Sequence, residues 1–345
     1  MRKKIKPRPT QADVAERAGV TRSMVSYVLN DKSDRSVAPE TKKKILDAIK
    51  ELGYRPNDIA RALRMREKGA LADRHIGIVL RSVDMFLRPY YTEILLGIHL
   101  AAHEKGYHIQ FIHFYDELKN PILFNKLIHS EEICGLLLIS TDQCLKTPED
   151  KKLIEQIRSR IDQIVCIEWQ MPGLSSVSFD RRAAAVQVTN YLLNKGYREI
   201  AYLGESDQRI TGFKQAFLEH GAEDITDLYI DDAGDMESGY NAVQKLHQKN
   251  KTIPRAIFAG SDEVAVGIFR YLQEQGINVP GETAVISIDN IEISAYTHPQ
   301  LTTLNVQKKA MGYRAVEMII NRSAGQEENA LTLLLPTELV IRNSV

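Results

Sequence analysis

The sequence predicts an α/β protein whose first sixty-odd residues form a separate all-helical module. Three observations carry that expectation. Residues 1–68 hold 18 Lys+Arg against 9 Asp+Glu, whereas the rest of the 345-residue chain holds 27 against 36, although the whole balances at 45 each. The basic part is built from short helical patterns with turn residues between them. From Arg74 onward, short Ile/Val-rich runs alternate with amphipathic helical stretches, the pattern of a doubly wound parallel sheet.

The helical module reads in order from its caps. In "PTQADVAERAGVTRSMVSYVLN", Thr10 caps a first helix, with Asp13 placed three residues on as in a capping box. Val14, Ala15 and Ala18 are its apolar side, and Ala15 is small where two helices cross. Gly19 supplies the left-handed backbone of a tight turn. Val20 staples the entry to a second helix capped by Thr21. Met24, Val25, Val28 and Leu29 make the apolar stripe of that helix, so Arg22, Ser23, Ser26 and Tyr27 face away from it. Pro39 opens a third helix carrying Ile45, Ala48, Ile49 and Leu52, and Gly53 stops it. Three short helices with one tight turn are the helix-turn-helix plan, whose second helix enters the major groove of DNA. Arginine pairs with guanine edges, serine with base edges or phosphate, and tyrosine with either. A solvated face on an ordinary three-helix bundle is the competing reading. The basic charge points to a polyanion, and helices without a bulky apolar face favour nucleic acid over a membrane surface.

Next comes "YRPNDIARALRMREKG". Pro56 breaks the chain and Asn57 can cap a two-turn helix with Ile59, Ala60 and Leu63 apolar and Arg61, Arg64 and Arg66 basic. A helix this short is marginal in water and needs a partner; a basic linker is the alternative.

Residues 9–63, through "DVAERAGVTRSMVSYVLN", "VAPETKKKILDAIKELGYRPN" and "ARAL", resemble the headpiece of the lactose-repressor (LacI/GalR) family of bacterial transcription regulators. The resemblance implies that the short stretch is a hinge helix ordering on operator DNA, with Leu63 wedged into the minor groove beside Ala60. It makes Thr10, Thr21, Arg22, Ser23, Ser26, Tyr27, Asn30, Asn57, Ala60 and Leu63 the expected DNA-contacting set. Tyr27 stands where many members carry arginine, which implies an unusual half-site. The loop "DKSDRSV" is longer than common, which puts its phosphate contacts in question.

In the body, strands are expected at "IGIVL" (76–80), "IQFI" (109–112), "GLLLIS" (135–140), "IVCIEW" (164–169), "IAYLG" (200–204), "AIFAG" (256–260) and "AVISID" (284–289). Helices are expected at "TEILLGIHLAAHEKGY", "RAAAVQVTNYLLNKGY" and "SDEVAVGIFRYLQEQGI". Two such sets, before and after roughly residue 170, predict two similar lobes, and "HEKGYHI" and "NKGYREI" are matching helix-stop-strand junctions. Ligands of such sheets lie at the carboxyl ends of strands, which for two lobes means a cleft between them. The expected organisation is a headpiece over 1–55, a hinge helix and linker over 56–72, and a two-lobed, periplasmic-binding-protein-like effector and dimerisation domain over 73–345.

Polar residues fall at those strand ends. Asp180 follows "SVSF", Arg209 follows the "GES" loop, Asp262 follows "AIFAG" and Asp289 ends "AVISID". Each alone is as well read as a helix cap or loop residue. Together they resemble the family's effector set, most closely at Arg209 in "RITGF" and Asp289 in "ISIDN". The family aspartate matched by Asp262 can be structural, and Ser261 replaces a common asparagine. Tyr90 and Tyr91 match aromatic positions that line the cleft. Glu168 and Trp169 sit at the crossover entrance, where Trp169 either stacks on a sugar face or packs the hinge.

Other classes find little support. The sequence lacks a phosphate-cradling GxxxxGK[ST] or GxGxxG, a GxSxG elbow and an HExxH helix, so an enzyme reading rests on cleft carboxylates alone. The three cysteines show neither metal nor disulfide spacing, and the nine histidines are scattered. No cofactor or metal is expected. Hydrophobic residues at 43% and charged residues at 26% make an ordinary soluble profile. No secretory signal or bilayer-length apolar run is read, so a cytoplasmic, non-membrane protein is expected. The expected function is an allosteric transcription regulator, a repressor of sugar-utilisation genes, binding a pseudo-palindromic operator as a homodimer. A small-molecule effector, a sugar in the commonest family pattern, controls it. A sugar-binding protein of the same two-lobed fold, and a regulator controlled by a partner protein, stand as alternatives.

Overall fold

A computed structural model of the chain describes residues 9–29, 37–54, 74–221, 229–323 and 329–345. Three helices open it: α1 (Gln11–Ala18), α2 (Arg22–Leu29) and α3 (Pro39–Leu52). Thr10 and Asp13 form a reciprocal capping box on α1, and Thr21 Oγ1 accepts from Met24 N at 3.3 Å at the start of α2. Gly19 and Gly53 close α1 and α3 in left-handed conformations, φ 66° and 63°. The apolar stripes converge on one small core of Val14, Ala15, Val25, Val28, Ile45, Ala48, Ile49 and Tyr54.

The body holds two six-stranded sheets. The first contains β1 (His75–Leu80), β2 (His108–Phe114), β3 (Gly135–Ile139), β4 (Ile164–Ile167), β5 (Ser175–Ser178) and β11 (Thr332–Leu334), in the order β11-β5-β4-β3-β1-β2. The second contains β6 (Ile200–Leu203), β7 (Ile230–Asp231), β8 (Ala256–Ala259), β9 (Ala284–Asp289), β10 (Thr302–Asn305) and β12 (Glu338–Val340), in the order β12-β10-β9-β8-β6-β7. Strands β1 to β5 pair in parallel, as do β6 to β10, while β12 pairs antiparallel to β10. Central strands β3, β4, β6 and β8 are buried along their whole length, as continuous apolar runs dictate.

Among the described residues, eight α-helices accompany the sheets: α4 (Pro89–Glu104), α5 (Pro121–Leu127), α6 (Pro148–Arg158), α7 (Arg181–Asn194), α8 (Gln208–Glu219), α9 (Met236–Asn250), α10 (Asp262–Glu274) and α11 (Lys308–Ser323). Glycines set two close crossings in the second sheet's neighbourhood. A Cβ on Gly212 of α8 would stand 2.2 Å from Arg182 O of α7, and one on Gly267 of α10 would stand 1.9 Å from Met236 O of α9.

The chain folds into two compact units. One comprises residues 1–86, 95–177 and 312–332; the other comprises 87–94, 178–311 and 333–345. The main division therefore falls after residue 177, not near 170. Its cause is β5, which still pairs with β4 (Val165↔Ser175 to Ile167↔Val177) and so belongs to the first sheet. A strand reading Ser-Ser-Val-Ser gives no apolar run, yet it is buried throughout. Ser175 Oγ accepts from Arg322 and from Leu331 N at 3.1 and 3.2 Å, which makes burial of that hydroxyl tolerable.

Candidate functional site

The headpiece presents one face of α2 to solvent. Thr21, Arg22 and Ser23 are exposed, and Ser26 and Tyr27 are half-buried. Arg22 Nε reaches Gln11 Oε1 at 3.5 Å, a contact too long to hold the guanidinium tightly. Thr10 is exposed, but its hydroxyl donates to Asp13 at 2.8 Å and serves the cap of α1. Asn30, Asn57, Ala60 and Leu63 lie outside the described residues.

In the second unit, Arg209, Asp262 and Asp289 follow or end strands β6, β8 and β9 at their carboxyl ends. Arg209, in the first turn of α8, is 7% exposed. Its Nε donates to both oxygens of Asp207 at 2.9 and 3.1 Å. Its Nη2 donates to Asp207 Oδ2 at 2.8 Å and Glu205 Oε2 at 2.9 Å, and its Nη1 to Gly260 O at 2.5 Å. The cap residue of α8, Asp207, thus also fixes the guanidinium plane.

Asp289 ends β9 with φ +127°, a conformation a non-glycine residue holds only when its surroundings impose it. A buried lysine supplies that constraint. Lys308, 2% exposed, donates to the backbone carbonyls of Asp289, Asn290 and Val306 and lies 3.6 Å from Glu93 Oε2. Burial, and then the neighbouring Asp262 carboxylate, push the Asp289 carboxyl well above the ordinary carboxylate range.

Asp262 opens α10 and is fully buried. Its Oδ1 accepts from Ser287 Oγ at 2.5 Å and Thr303 Oγ1 at 2.6 Å, and its Oδ2 from Ile291 N at 2.8 Å. Burial pushes its carboxyl up to about 6, against the pull of those three donors. Every acceptor direction points into β9, β10 and the turn after β9, so the side chain clamps the frame that holds Asp289. Ser261 caps α10 through Val264 N at 3.2 Å. Asp180 is exposed and caps α7 through Ala183 N at 2.9 Å.

Tyr90 and Tyr91 lie in the first turn of α4, which begins three residues before the apolar pattern does. Both are buried and their rings meet edge to face at 5.3 Å. Beside them Arg88 donates to Glu263 Oε2 at 2.8 Å and Gly234 O at 2.7 Å, with its guanidinium 5.6 Å from the Tyr91 ring. In the first unit, Glu168 follows β4 with φ +75° and is buried. Trp169 packs in that unit's core and donates from Nε1 to Leu138 O at 3.1 Å, the packing role.

Sequence reasoning did not single out Arg88, Glu205, Asp207, Glu263 or Lys308. Lys308 looked like one of two ordinary lysines opening a helix. Its near-total burial depends on three carbonyls that only the tertiary fold assembles. Arg88, by contrast, stood directly before Pro89, Tyr90 and Tyr91, and that adjacency was a usable signal. Among the described residues, no cluster of His, Cys, Asp and Glu could hold a metal ion, and no helix is long and apolar enough to cross a membrane.

A basic helix-turn-helix headpiece followed by two parallel-sheet units defines a DNA-binding transcription regulator, and the chain carries a LacI-family DNA-binding domain joined to a periplasmic-binding-protein-like domain. Residues 10–57 match the sequence model of the bacterial regulatory proteins of the lacI family, and residues 189–345 match that of the periplasmic binding protein-like domain. Among curated relatives, the chain is similar to the HTH-type transcriptional repressor PurR of Edwardsiella ictaluri, 29% identical across 97% of this chain and 96% of that one. PurR of Mannheimia succiniciproducens is 28% identical over 97% and 98%. Among solved structures, a transcriptional regulator CelR–cellobiose complex superposes with TM-score 0.66 at 26% identity, covering 98% of this chain and 100% of that one. A lac repressor dimer bound to operator and the anti-inducer ONPF superposes with TM-score 0.67 at 22% identity over 98% and 99%, a likeness of fold.

Proposed function

We propose that the protein is a cytoplasmic repressor that binds a pseudo-palindromic operator as a homodimer and is controlled by an uncharged sugar. The headpiece spans 1–55, the hinge and linker 56–72, and the effector domain 73–345. Arg22, Ser23, Ser26 and Tyr27 read bases, with Thr10, Thr21, Asn30 and Asn57 on the backbone and Ala60 and Leu63 in the minor groove. Arg209 and Asp289 bind effector hydroxyls, with Tyr90, Tyr91, Asp180 and Ser261 as further candidates on the second unit and Glu168 and Trp169 as candidates on the first, while Asp262 braces Asp289.

The observation that carries the effector class is the charge arrangement around Arg209 and Asp289. Arg209 is already matched by Asp207 and Glu205, and Arg88 by Glu263. Arg181 also lies 3.6 Å from Asp207, Lys308 lies 3.6 Å from Glu93, and burial disfavours charge on the Asp289 and Asp262 carboxyls. Each of these cations already has an anionic partner, so a phosphate or carboxylate would have to displace one. Neutral hydroxyls suit fixed carboxylate acceptors and a fixed guanidinium donor. Similarity to a regulator crystallised with cellobiose supports the same class.

The proposed control is linkage. Effector binding favours one arrangement of the lobes, which sets whether the hinge segments order on DNA, with a coupling of about 1–3 kcal/mol in typical systems. The test is thermal unfolding against neutral mono- and disaccharides, sugar phosphates, purines and nucleosides. A ligand at about 100 times its Kd stabilises by about 2.7 kcal/mol. A neutral sugar is expected to raise the midpoint, and Arg209→Ala to abolish the rise. A purine or a sugar phosphate as the one stabilising ligand would replace the effector class proposed.

A further inference from the structure

Helix α5 of the first unit has two working faces. Asn120 caps it, accepting from Ile122 N at 2.9 Å, and Pro121 opens its first turn. Phe124 and Leu127 turn inward to the first unit's core. Arg160 holds that side in place, stacked 4.5 Å from the Phe124 ring. Ile122 and Asn125, one turn apart, belong to the other side. Ile122 packs against the headpiece core of Val14, Val25, Ile45 and Ile49. Asn125 is 1% exposed, and its Nδ2 donates to Ile49 O at 3.2 Å and Tyr54 O at 3.4 Å.

Ile49 O lies in the last turn of α3 and also accepts from Gly53 N and Tyr54 N, while Tyr54 O lies two residues beyond the helix. The amide of Asn125 adds a donor at this already closed helix end and ties it to a segment more than seventy residues along the chain. A buried amide tied to a distant helix end costs its own desolvation unless both bonds persist. Docking at this end leaves Thr21, Arg22 and Ser23 exposed, so the reading face stays available.

We propose that Ile122 and Asn125 form a docking platform that fixes the headpiece in one orientation on the first unit. They are positioning residues for DNA reading. The orientation of α2 is then set by a packed contact as well as by the connecting chain, and a movement of the first unit carries the recognition helix with it. The contact acts by preorganisation: a headpiece held in its binding orientation has less freedom to lose on DNA.

The experiment uses the full chain and two variants, Asn125→Asp and Ile122→Ser. The first keeps size but turns a donor amide into an acceptor facing two carbonyls. Methyl relaxation of headpiece Ile45 and Ile49 is measured by NMR alongside Ile139 and Ile167 of the first sheet, together with operator affinity. In the wild type, headpiece and sheet methyls should report one tumbling time. In each variant the headpiece should tumble faster than the sheet, and operator affinity should fall about tenfold as preorganisation is lost. Unchanged sheet signals show that the variant is folded. Independent headpiece tumbling in the wild type overturns the proposal. So does unchanged tumbling in both variants, or freed tumbling with no loss of operator affinity.

Discussion

Replacing Asp262 with alanine separates a clamp from a ligand contact. The substitution removes the acceptor for Ser287 Oγ, Thr303 Oγ1 and Ile291 N, all from residues at most 1% exposed. The two hydroxyls can turn toward other acceptors, but the Ile291 N–H has a fixed direction and loses its partner. An orphaned buried donor costs about 1–3 kcal/mol, and the hydroxyls add a smaller amount each. Relief of a desolvated carboxylate offsets part of this. The expected loss is about 3 kcal/mol, roughly two decades in the unfolding equilibrium. Urea unfolding resolves it, because Trp169, the chain's one tryptophan, sits in the first unit. Circular dichroism follows both units, while tryptophan fluorescence follows the first. The circular dichroism transition should move to lower urea by about 1–2 M, and the fluorescence transition should move less. Asp262→Asn, which keeps one acceptor oxygen, should cost less than alanine. Effector binding should weaken in parallel, since Ser287 and Ile291 flank Asp289. A loss below about 1 kcal/mol, or two transitions shifted equally, refutes the clamp.

Two buried aspartates should give opposite pH dependences. Asp262 is raised in the folded chain by burial, so the stability it contributes is present below about pH 4 and is lost as pH rises through about 6. Asp150 is held down to about 2 by Lys119 and the Thr147 backbone and hydroxyl, so its contribution is present above about pH 4 and is lost as pH falls through about 2. Denaturant titrations of Asp262→Asn and Asp150→Asn across pH 2–7 should each remove one slope; loss of the wrong slope rejects the assignment. Gly212→Ala places a methyl 2.2 Å from Arg182 O and should destabilise by about 1–3 kcal/mol, measured by thermal unfolding. A neutral result would mean that α7 and α8 can part freely. Arg22→Ala should cost about 1–3 kcal/mol at one operator base pair, leaving bulk-DNA affinity nearly intact in competition binding. Equal losses on operator and bulk DNA would make Arg22 a phosphate contact instead.

Much of the fold was legible because it is written locally. Thr10 with Asp13, Gly19, Thr21, Pro39 and Gly53 act within one turn of themselves, and each took the expected cap or stop. The central strands were legible because burial on both faces demands uninterrupted apolar runs. Strands β5, β7, β10, β11 and β12 were not, since they are short, polar or at an edge. Their pairing is supplied by neighbours rather than by their own pattern.

By itself the sequence determined the helix-turn-helix plan, the alternating α/β body and the candidate residues at strand ends, because caps and hydrophobic periodicity are short-range. The tertiary structure alone decided what the polar residues do. Asp180, Arg209, Asp262 and Asp289 share similar contexts at strand ends. Yet one caps a helix in solvent, one is locked by its own loop, one clamps two strands and a turn, and one is held at positive φ by a buried lysine. Lys308 and Asn125 drew no notice as letters in the chain. Their burial is stable only because carbonyls far away in sequence converge on them, and convergence of that kind carries no local signature.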